Sequence, residues 1–203
     1  MLCGIFGDEF AYNMGNLKTY TMTYCLYMDY QAGATIYANY YLNFPFKQLK
    51  NFEMLVEALD DLYDVSVGLD ELHVLFDAYS GVSKETGTWY LKEFVRQTRK
   101  RRVKVYITAQ NFMDIHKSIR KMLHHVWVSK KLHADFSTCE NDMCHETHIQ
   151  EISNYKNHEV RYFEVNPQIF KLYDSDELIP FEETNEKHIN KNTTYKATKE
   201  MKK

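Results

Sequence analysis

The sequence predicts an α/β fold, with a mainly parallel sheet flanked by helices and a β-hairpin appendage toward its C-terminal side. Strand-like and helix-like segments alternate as far as about residue 132, which is typical of parallel strands joined by helical crossovers. Two short alternating runs then follow, separated by Asn154-Tyr155-Lys156-Asn157. Hydrophobic residues make up 44% of the 203 positions and charged residues 26%, so the chain can bury a sizeable core.

The elements of the first half are predicted in order from residue pattern. Residues 1–7 form a short apolar run, and residues 18–30 lack Gly and Pro before Gly33 ends the helix. The β-branched and aromatic run at 35–39 predicts a strand. The remaining patterns predict a helix at 46–63 and a strand ending in Leu69-Asp70-Glu71.

The second half continues the same alternation. The patterns predict a helix at 87–102, a strand at 103–110, a helix at 111–123 and a strand at 124–130. Residues 145–153 and 158–166 predict the hairpin. We expect one domain over residues 1–181, with the appendage at about 132–166, and a polar, disordered tail at 182–203.

Composition narrows the class of protein. The formal net charge is −3, so contact with nucleic acid would need a local basic patch. Four irregularly spaced cysteines do not suit a disulfide-rich secreted scaffold. Because no apolar run approaches the length of a membrane span, we expect a soluble protein of the cytoplasm.

Gly15-Asn16-Leu17-Lys18-Thr19 precedes the first predicted helix. A helix N-terminus can bind phosphate through its N–H groups, while a lysine reaches the outer phosphates and a hydroxyl binds Mg²⁺. The alternative interpretation is an exposed lysine beside a threonine that caps the helix.

Asp70 and Glu71 follow an apolar strand, where α/β folds bind ligands. One carboxylate could hold Mg²⁺ while the other orients or deprotonates water. A solvated acidic pair at the start of a loop is the alternative.

Thr108-Ala109-Gln110 ends another strand, and a glutamine there could sense a terminal phosphate. The basic cluster before it, which includes Arg99, could be a solvated helix end, an arginine finger for a neighbouring subunit, or a contact to DNA phosphate.

These segments together resemble the FtsK–HerA group of P-loop ATPases, particularly the genome-packaging ATPases of archaeal viruses and the Zot-type assembly ATPases of filamentous phages. The resemblance covers about residues 13–181 and rests on GNLKTYTMTYCLYMDYQAGATIYANYYLNFPF, GLDELHVLFDAYSG, RQTRKRRVKVYITAQN, SIRKML and NPQIFKLYDSDELIPF. It implies a P-loop NTPase-like fold, ATP and Mg²⁺ as cofactors, and a viral or mobile-element origin.

The resemblance also implies roles for single residues. Glu71 would polarise water and Gln110 would be the sensor, while Arg99 or Arg120 would act in trans. Thr19 and Asp70 would hold Mg²⁺. The nucleotide-binding residues would be Gly15, Asn16, Leu17, Lys18, Thr19 and Tyr20.

As partners the resemblance implies a homo-oligomeric ring, possibly a hexamer, that translocates double-stranded DNA without sequence preference, and capsid or portal-side proteins. The expected function is an ATP-hydrolysing motor subunit for viral DNA packaging. The alternatives are a catalytically impaired relative with a structural role and a Zot-type phage assembly ATPase.

The phosphate-binding loop departs from the pattern of the group. Tyr12 occupies the place of the first glycine, Leu17 that of the glycine before Lys18, and three residues are missing. Glycines in such loops permit positive φ and a close approach of backbone to phosphate. Either the chain binds ATP weakly or this part of the sequence is altered.

Cys139, Cys144, His145 and His148 place four possible zinc ligands within ten positions. Zinc favours four nitrogen or sulfur ligands. Free thiols with ordinary histidines are the alternative, and zinc with the basic cluster would suit a nucleic-acid-binding module.

Overall fold

The computed structural model describes residues 1–7, 16–50, 63–72, 102–139, 144 and 146–174, together with Met54, Phe94 and Arg96. The predicted tail at 182–203 and most of the predicted helix at 87–102 lie outside the described residues. Within the described ranges, no helix is both long enough and apolar enough to cross a bilayer.

The described elements alternate as the sequence predicts. The helices are α1 (Lys18–Gln31), α2 (Lys117–Arg120) and α3 (Pro167–Phe170), and a 3₁₀ turn spans Phe112–Asp114. The strands are β1 (Leu2–Gly7), β2 (Thr35–Ala38), β3 (Lys47–Gln48), β4 (Val65–Leu69), β5 (Lys104–Ala109), β6 (His125–His133), β7 (His148–Asn154) and β8 (Glu159–Glu164).

Eight strands form one sheet in the order β3-β2-β4-β5-β1-β6-β7-β8. The pairs from β3 to β6 are parallel, and the β6–β7 and β7–β8 pairs are antiparallel. The fold is therefore mainly parallel with an antiparallel C-terminal part, as predicted. The hairpin of β7 and β8 extends the sheet directly, because β6 pairs with β1 on one side and with β7 on the other.

The core lies on both faces of the sheet because the side chains of β1 alternate between them. Leu2 and Phe6 pack in one cluster with residues of β4 and β5. Cys3 and Ile5 pack on the opposite face with Met22 and Leu26 of α1. Met22 and Leu26 therefore lie on the face of α1 that covers the sheet.

Two predicted helices are wrong in part. Residues 47–48 of the predicted helix at 46–63 form β3, which pairs in parallel with β2; most of that helix lies outside the described residues, although Met54 is helical. The predicted helix at 111–123 is broken into the 3₁₀ turn and α2, with extended backbone at Ile115 and His116 between them. Asn111 caps the 3₁₀ turn through a side-chain bond from Met113 N, so local polar contacts replace a continuous helix.

Candidate functional site

The candidate site lies where the parallel strands end. Asn39 follows β2, Asp70 follows β4 and Gln110 follows β5, so their parallel register brings the three residues to one edge of the sheet. β5 lies between β4 and β1, and β1 precedes α1 in the chain. Polar side chains distant in sequence therefore meet beside the start of α1.

The Asp70 carboxylate is the centre of this site. Thr19, in the first turn of α1, donates its hydroxyl to Asp70 Oδ1 at 3.2 Å and to Oδ2 at 3.1 Å. The Thr108 hydroxyl of β5 donates to Asp70 Oδ1 and accepts a bond from Glu71 N at 2.9 Å. Helix α1 and strands β4 and β5 are thus joined through one carboxylate.

Asn39 holds the backbone of Asp70 in place. Its side-chain nitrogen donates to Asp70 O at 2.9 Å, and its Oδ1 accepts from Asp70 N at 2.7 Å. Asn39 is fully buried. This two-point contact satisfies both backbone groups of Asp70, directly after β4.

Burial sets the acidity of Asp70. Desolvation is the largest influence and, with the nearby Glu71 charge, it raises the pKa of Asp70 to about 6. The bonds from Thr108 and Thr19 and the charge of Lys18 act in the opposite direction. A cation that approaches Asp70 would therefore stabilise the ionised form of its carboxylate.

The first turn of α1 lies beside the Asp70 carboxylate. Leu17 precedes the helix with φ 59°, in the left-handed region, and gives the helix no side-chain cap. Asn16 lies against the end of β1, since a Cβ placed on Gly7 would come within 2.9 Å of Asn16 Nδ2. The N–H groups of a first helical turn, here those of Lys18, Thr19 and Tyr20, have no partner within the helix and are the groups that bind anions at helix N-termini.

The side of α1 nearest the antiparallel strands is held by buried hydrogen bonds. Gln150 of β7 donates to Thr21 Oγ1 and, at 2.8 Å, to Ser129 Oγ of β6. The Thr21 hydroxyl in turn donates to Leu17 O at 2.6 Å. The strands β6 and β7 thereby fix the first turn of α1.

The structure places Glu71 and Gln110 next to strand ends, whereas the Tyr20 side chain packs away from Asp70. Glu71 follows Asp70 with φ 49°, and Gln110 is exposed directly after β5. Tyr20 is buried with Val165, and its hydroxyl accepts from Asn166 N at 2.9 Å, so only its backbone N–H faces the helix start.

Of the two arginines predicted to act in trans, Arg120 alone is among the described residues. Arg120 ends α2, and its guanidinium lies 5.3 Å from the Phe112 ring of its own chain. Arg99 and Gly15 lie outside the described residues, so their roles stay predictions.

The Thr19 hydroxyl and the Asp70 carboxylate fit a magnesium ion. Mg²⁺ prefers oxygen ligands such as one or two carboxylates and a hydroxyl, with phosphate oxygens and water completing the shell. Thr19 Oγ1 and the Asp70 carboxylate supply this pair at hydrogen-bond distance from each other, and Lys18 is the adjacent cation. In P-loop proteins the corresponding hydroxyl and acid hold Mg²⁺.

Sequence reasoning missed Asn39 as part of the site and treated Thr108 only as a member of a strand end. Asn39 is a polar residue directly after an apolar strand, which is the signal that could have revealed it. Its contact with Asp70 spans 31 residues of sequence, so its bonding partner could not be read from the pattern.

A second cluster lies at the far end of β6. Metal-ligating atoms of His133, Cys139, Cys144 and His148 all lie within 4.8 Å of one another. Cys139, Cys144 and His148 belong to the set predicted from the sequence; His133 was missed, and His145 lies outside the described residues. His133 ends β6 and pairs with His148 across the strands, a relation that only the strand register shows.

His148 contacts one of the cysteines of this cluster. His148 Nε2 and Cys139 Sγ are 3.3 Å apart. Burial and the nearby Lys131 lower the pKa of His148. A lowered pKa favours the neutral imidazole, the form in which histidine binds metals.

The fold and the site together define a P-loop NTPase-like protein, with a mainly parallel sheet and an acid at the strand end facing the first turn of α1. The family described as Zonular occludens toxin (Zot) matches residues 45–178, about two thirds of the chain. The chain belongs to the Zot family. The matched range includes Asp70, Glu71, Gln110 and Arg120 as well as the Cys/His cluster, and it begins after α1.

Solved structures with a similar fold have very different sequences. The N-terminal domain of zonular occludens toxin from Neisseria meningitidis is 12% identical, with a TM-score of 0.51; the match covers 85% of this chain and 98% of that one. The flagellar accessory protein FlaH from Methanocaldococcus jannaschii is 15% identical, with a TM-score of 0.51 and coverage of 83% and 86%.

The genome packaging NTPase B204 from Sulfolobus turreted icosahedral virus 2, solved with AMPPCP, is 9% identical. Its TM-score is 0.50, with coverage of 79% of this chain and 95% of that one. At these identities the likeness shows the fold. No curated protein sequence matches the chain.

Proposed function

We propose that this chain is a Mg²⁺-dependent ATPase of the Zot family that acts in the assembly of a DNA-containing virus particle. The observation that carries the proposal is the contact of Thr19, in the first turn of α1, with the buried Asp70 carboxylate. Membership of the Zot family supports it, together with the resemblance of the sequence to the Zot-type assembly ATPases of filamentous phages.

In this proposal each residue has a defined task. The first-turn N–H groups of α1 and Lys18 bind the phosphates, and Thr19 and Asp70 hold Mg²⁺. Bound Mg²⁺ would neutralise charge on the phosphate oxygens. Glu71 orients and deprotonates the attacking water, and Gln110, exposed beside it on the neighbouring strand end, reports on the terminal phosphate.

Thr108 has a positioning task. Its hydroxyl bonds both the Asp70 carboxylate and Glu71 N, so it fixes the metal-side acid and the backbone of the water-side acid relative to each other. A group held this way keeps its geometry during the reaction, which is how preorganised sites lower a barrier.

The experiment compares ATP turnover by the chain as it stands, by a version with Gly-Ser-Gly inserted between Leu17 and Lys18, and by Glu71→Gln. We expect the unaltered chain to hydrolyse ATP with Mg²⁺ and Glu71→Gln to bind ATP without turnover. Glu164→Gln, an exposed acid at the end of β8, is the matched control and should retain turnover.

These three versions of the chain distinguish the alternative functions. Turnover only after the insertion would overturn the proposal for this chain and support a catalytically impaired relative with a structural role. Absence of turnover and of nucleotide binding in both chains would overturn the nucleotide function altogether.

A packaging motor is the second candidate, supported by the similarity of the fold to the packaging NTPase of Sulfolobus turreted icosahedral virus 2. In this form of the proposal the chain forms a homo-oligomeric ring, Arg99 or Arg120 acts on the site of a neighbour, and capsid or portal-side proteins are partners. Duplex DNA of any sequence should then stimulate turnover, and added salt should abolish the stimulation because the contact is to phosphate. DNA-independent turnover by a monomer would contradict it.

A further inference from the structure

We propose that His133, Cys139, Cys144 and His148 form a structural zinc site, distinct from the nucleotide site and independent of the proposed ATPase function. The four ligand atoms already lie within 4.8 Å of one another. The site would join the end of β6, the start of β7 and the segment that connects them.

Backbone hydrogen bonds place three of the four ligands. His133 and His148 are directly opposite in the antiparallel pair of β6 and β7. His133 N donates to Ser137 O at 2.8 Å, which turns the chain back on itself, and Cys139 N donates to Lys131 O at 3.0 Å. These contacts bring Cys139 alongside the last residues of β6 without any help from a metal.

The distances suit tetrahedral zinc. Zinc binds sulfur at about 2.3 Å and histidine nitrogen at about 2.0–2.1 Å, so neighbouring ligand atoms in a tetrahedron are roughly 3.3–3.8 Å apart. His148 Nε2 and Cys139 Sγ are already 3.3 Å apart. The whole set needs only to contract from within 4.8 Å to this separation.

The ligand chemistry selects zinc and a structural role. Two thiolates with two imidazoles are soft and borderline donors that suit zinc better than Mg²⁺ or Ca²⁺. Four protein ligands leave no position for water, which is the arrangement of structural sites. Cys139 and His148 are buried, and Cys144 and His133 are half-buried, so the protein encloses most of the ion.

A carboxylate also lies close to His133. Glu146 Oε2 lies 3.1 Å from His133 Nδ1. This nitrogen is buried and forms no hydrogen bond within the described residues, and a buried polar atom of this kind gains from a bound ligand.

The experiment measures metal content and ligand type in the full chain, purified under reducing conditions without nucleotide. We expect one zinc ion per chain. Replacing zinc with Co²⁺ should give the visible bands of a tetrahedral ion and a thiolate-to-metal charge-transfer band. Chelation should lower the melting temperature.

Cys139→Ser, Cys144→Ser and His133→Asn should each weaken zinc binding by at least about tenfold, since loss of an outer partner alone typically costs 10–100-fold. The matched controls are Cys25→Ala and His125→Asn, which remove a thiol and an imidazole outside the cluster and should bind zinc like the unaltered chain.

Cobalt spectra without thiolate bands, or a Cys139–Cys144 disulfide in the freshly purified chain, would overturn the proposal. Equal zinc binding by Cys144→Ser and the unaltered chain would also overturn it. The cobalt spectrum of the unaltered chain tests the zinc proposal even where a variant fails to fold. Because every readout is taken without ATP, failure of the nucleotide function leaves this result unaffected.

Discussion

At the scale of single residues, Asp70 affects both the stability of the folded chain and its proposed function. The carboxylate is buried, and its neighbours in the folded state are two hydroxyls, the Glu71 charge and one lysine. A buried carboxylate is stabilised by a bound cation and destabilised without one. The buried Asp70 charge thus favours the binding of Mg²⁺ and destabilises the metal-free protein.

The pKa of Asp70 predicts how stability depends on pH. Its value of about 6 lies above the ordinary value of 3.8, so the folded chain binds this proton more tightly than the unfolded chain. The resulting stabilisation is complete below the unfolded pKa and is lost as pH rises through about 6. Loss of this stabilisation amounts to about 3 kcal/mol.

Asp70→Asn removes the charge and tests this account. We expect the metal-free variant to be more stable than the parent chain by about 2–3 kcal/mol near pH 7.5, and by about half as much near pH 5. Urea denaturation at the two pH values measures the difference. Magnesium-dependent nucleotide binding should be lost in the variant.

Glu164→Gln, which replaces an exposed acid at the end of β8, is the control and should bind magnesium nucleotide like the parent chain. A variant at Asp70 that is less stable than the parent at pH 7.5 would contradict the assignment of a buried, unfavourable charge.

At the scale of elements, α1 is positioned from both sides. Thr19 contacts the end of β4, and Thr21, two residues further along, contacts β7 through Gln150. The antiparallel strands therefore support the helix that the nucleotide would use, although they carry none of the predicted catalytic residues.

Gln150→Ala should loosen this support. The substitution leaves the buried Thr21 and Ser129 hydroxyls without the amide, which should lower the free energy of unfolding by about 1–3 kcal/mol. Because the first turn of α1 loses a partner, affinity for a fluorescent ATP analogue should fall as well.

Gln168→Ala, at an exposed position of α3, is the matched control and should change neither quantity. Unchanged nucleotide affinity in a destabilised Gln150→Ala chain would show that β7 supports the fold alone.

At the scale of the whole molecule, the parallel and antiparallel parts share strands. β6 pairs with five residues of β1 and with seven of β7, so the C-terminal strands have no separate sheet. Small domains built on one continuous sheet usually unfold in a single cooperative transition.

We therefore expect one transition in urea. Trp127 on β6 reports on the junction of the two parts, and Trp89→Phe makes it the sole tryptophan of the chain. Its fluorescence should change at the same urea concentration as the far-ultraviolet circular dichroism. An earlier change in fluorescence would show that β6–β8 unfold as a separate unit.

Much of this architecture follows from local pattern. β1, α1, β2, β4, β5 and the hairpin of β7 and β8 lie where periodicity and turn residues predict them, because each is a run whose buried face repeats at the period of its own backbone. Residues 47–48 did not follow their helical pattern, and residues 111–123 followed theirs only in part, as the 3₁₀ turn and α2. Pairing with β2 and the side-chain cap of Asn111 satisfy the backbone there instead.

The sequence by itself determined the alternation of strands and helices, the acidic pair after β4 and three of the four clustered metal ligands. Only the tertiary structure decided that Asn39 and Thr108 hold Asp70 and that His133 faces His148. Those contacts depend on strand order and register, which arise from packing the whole sheet. The sequence shows which side chains are present, whereas the tertiary structure determines which of them contact each other.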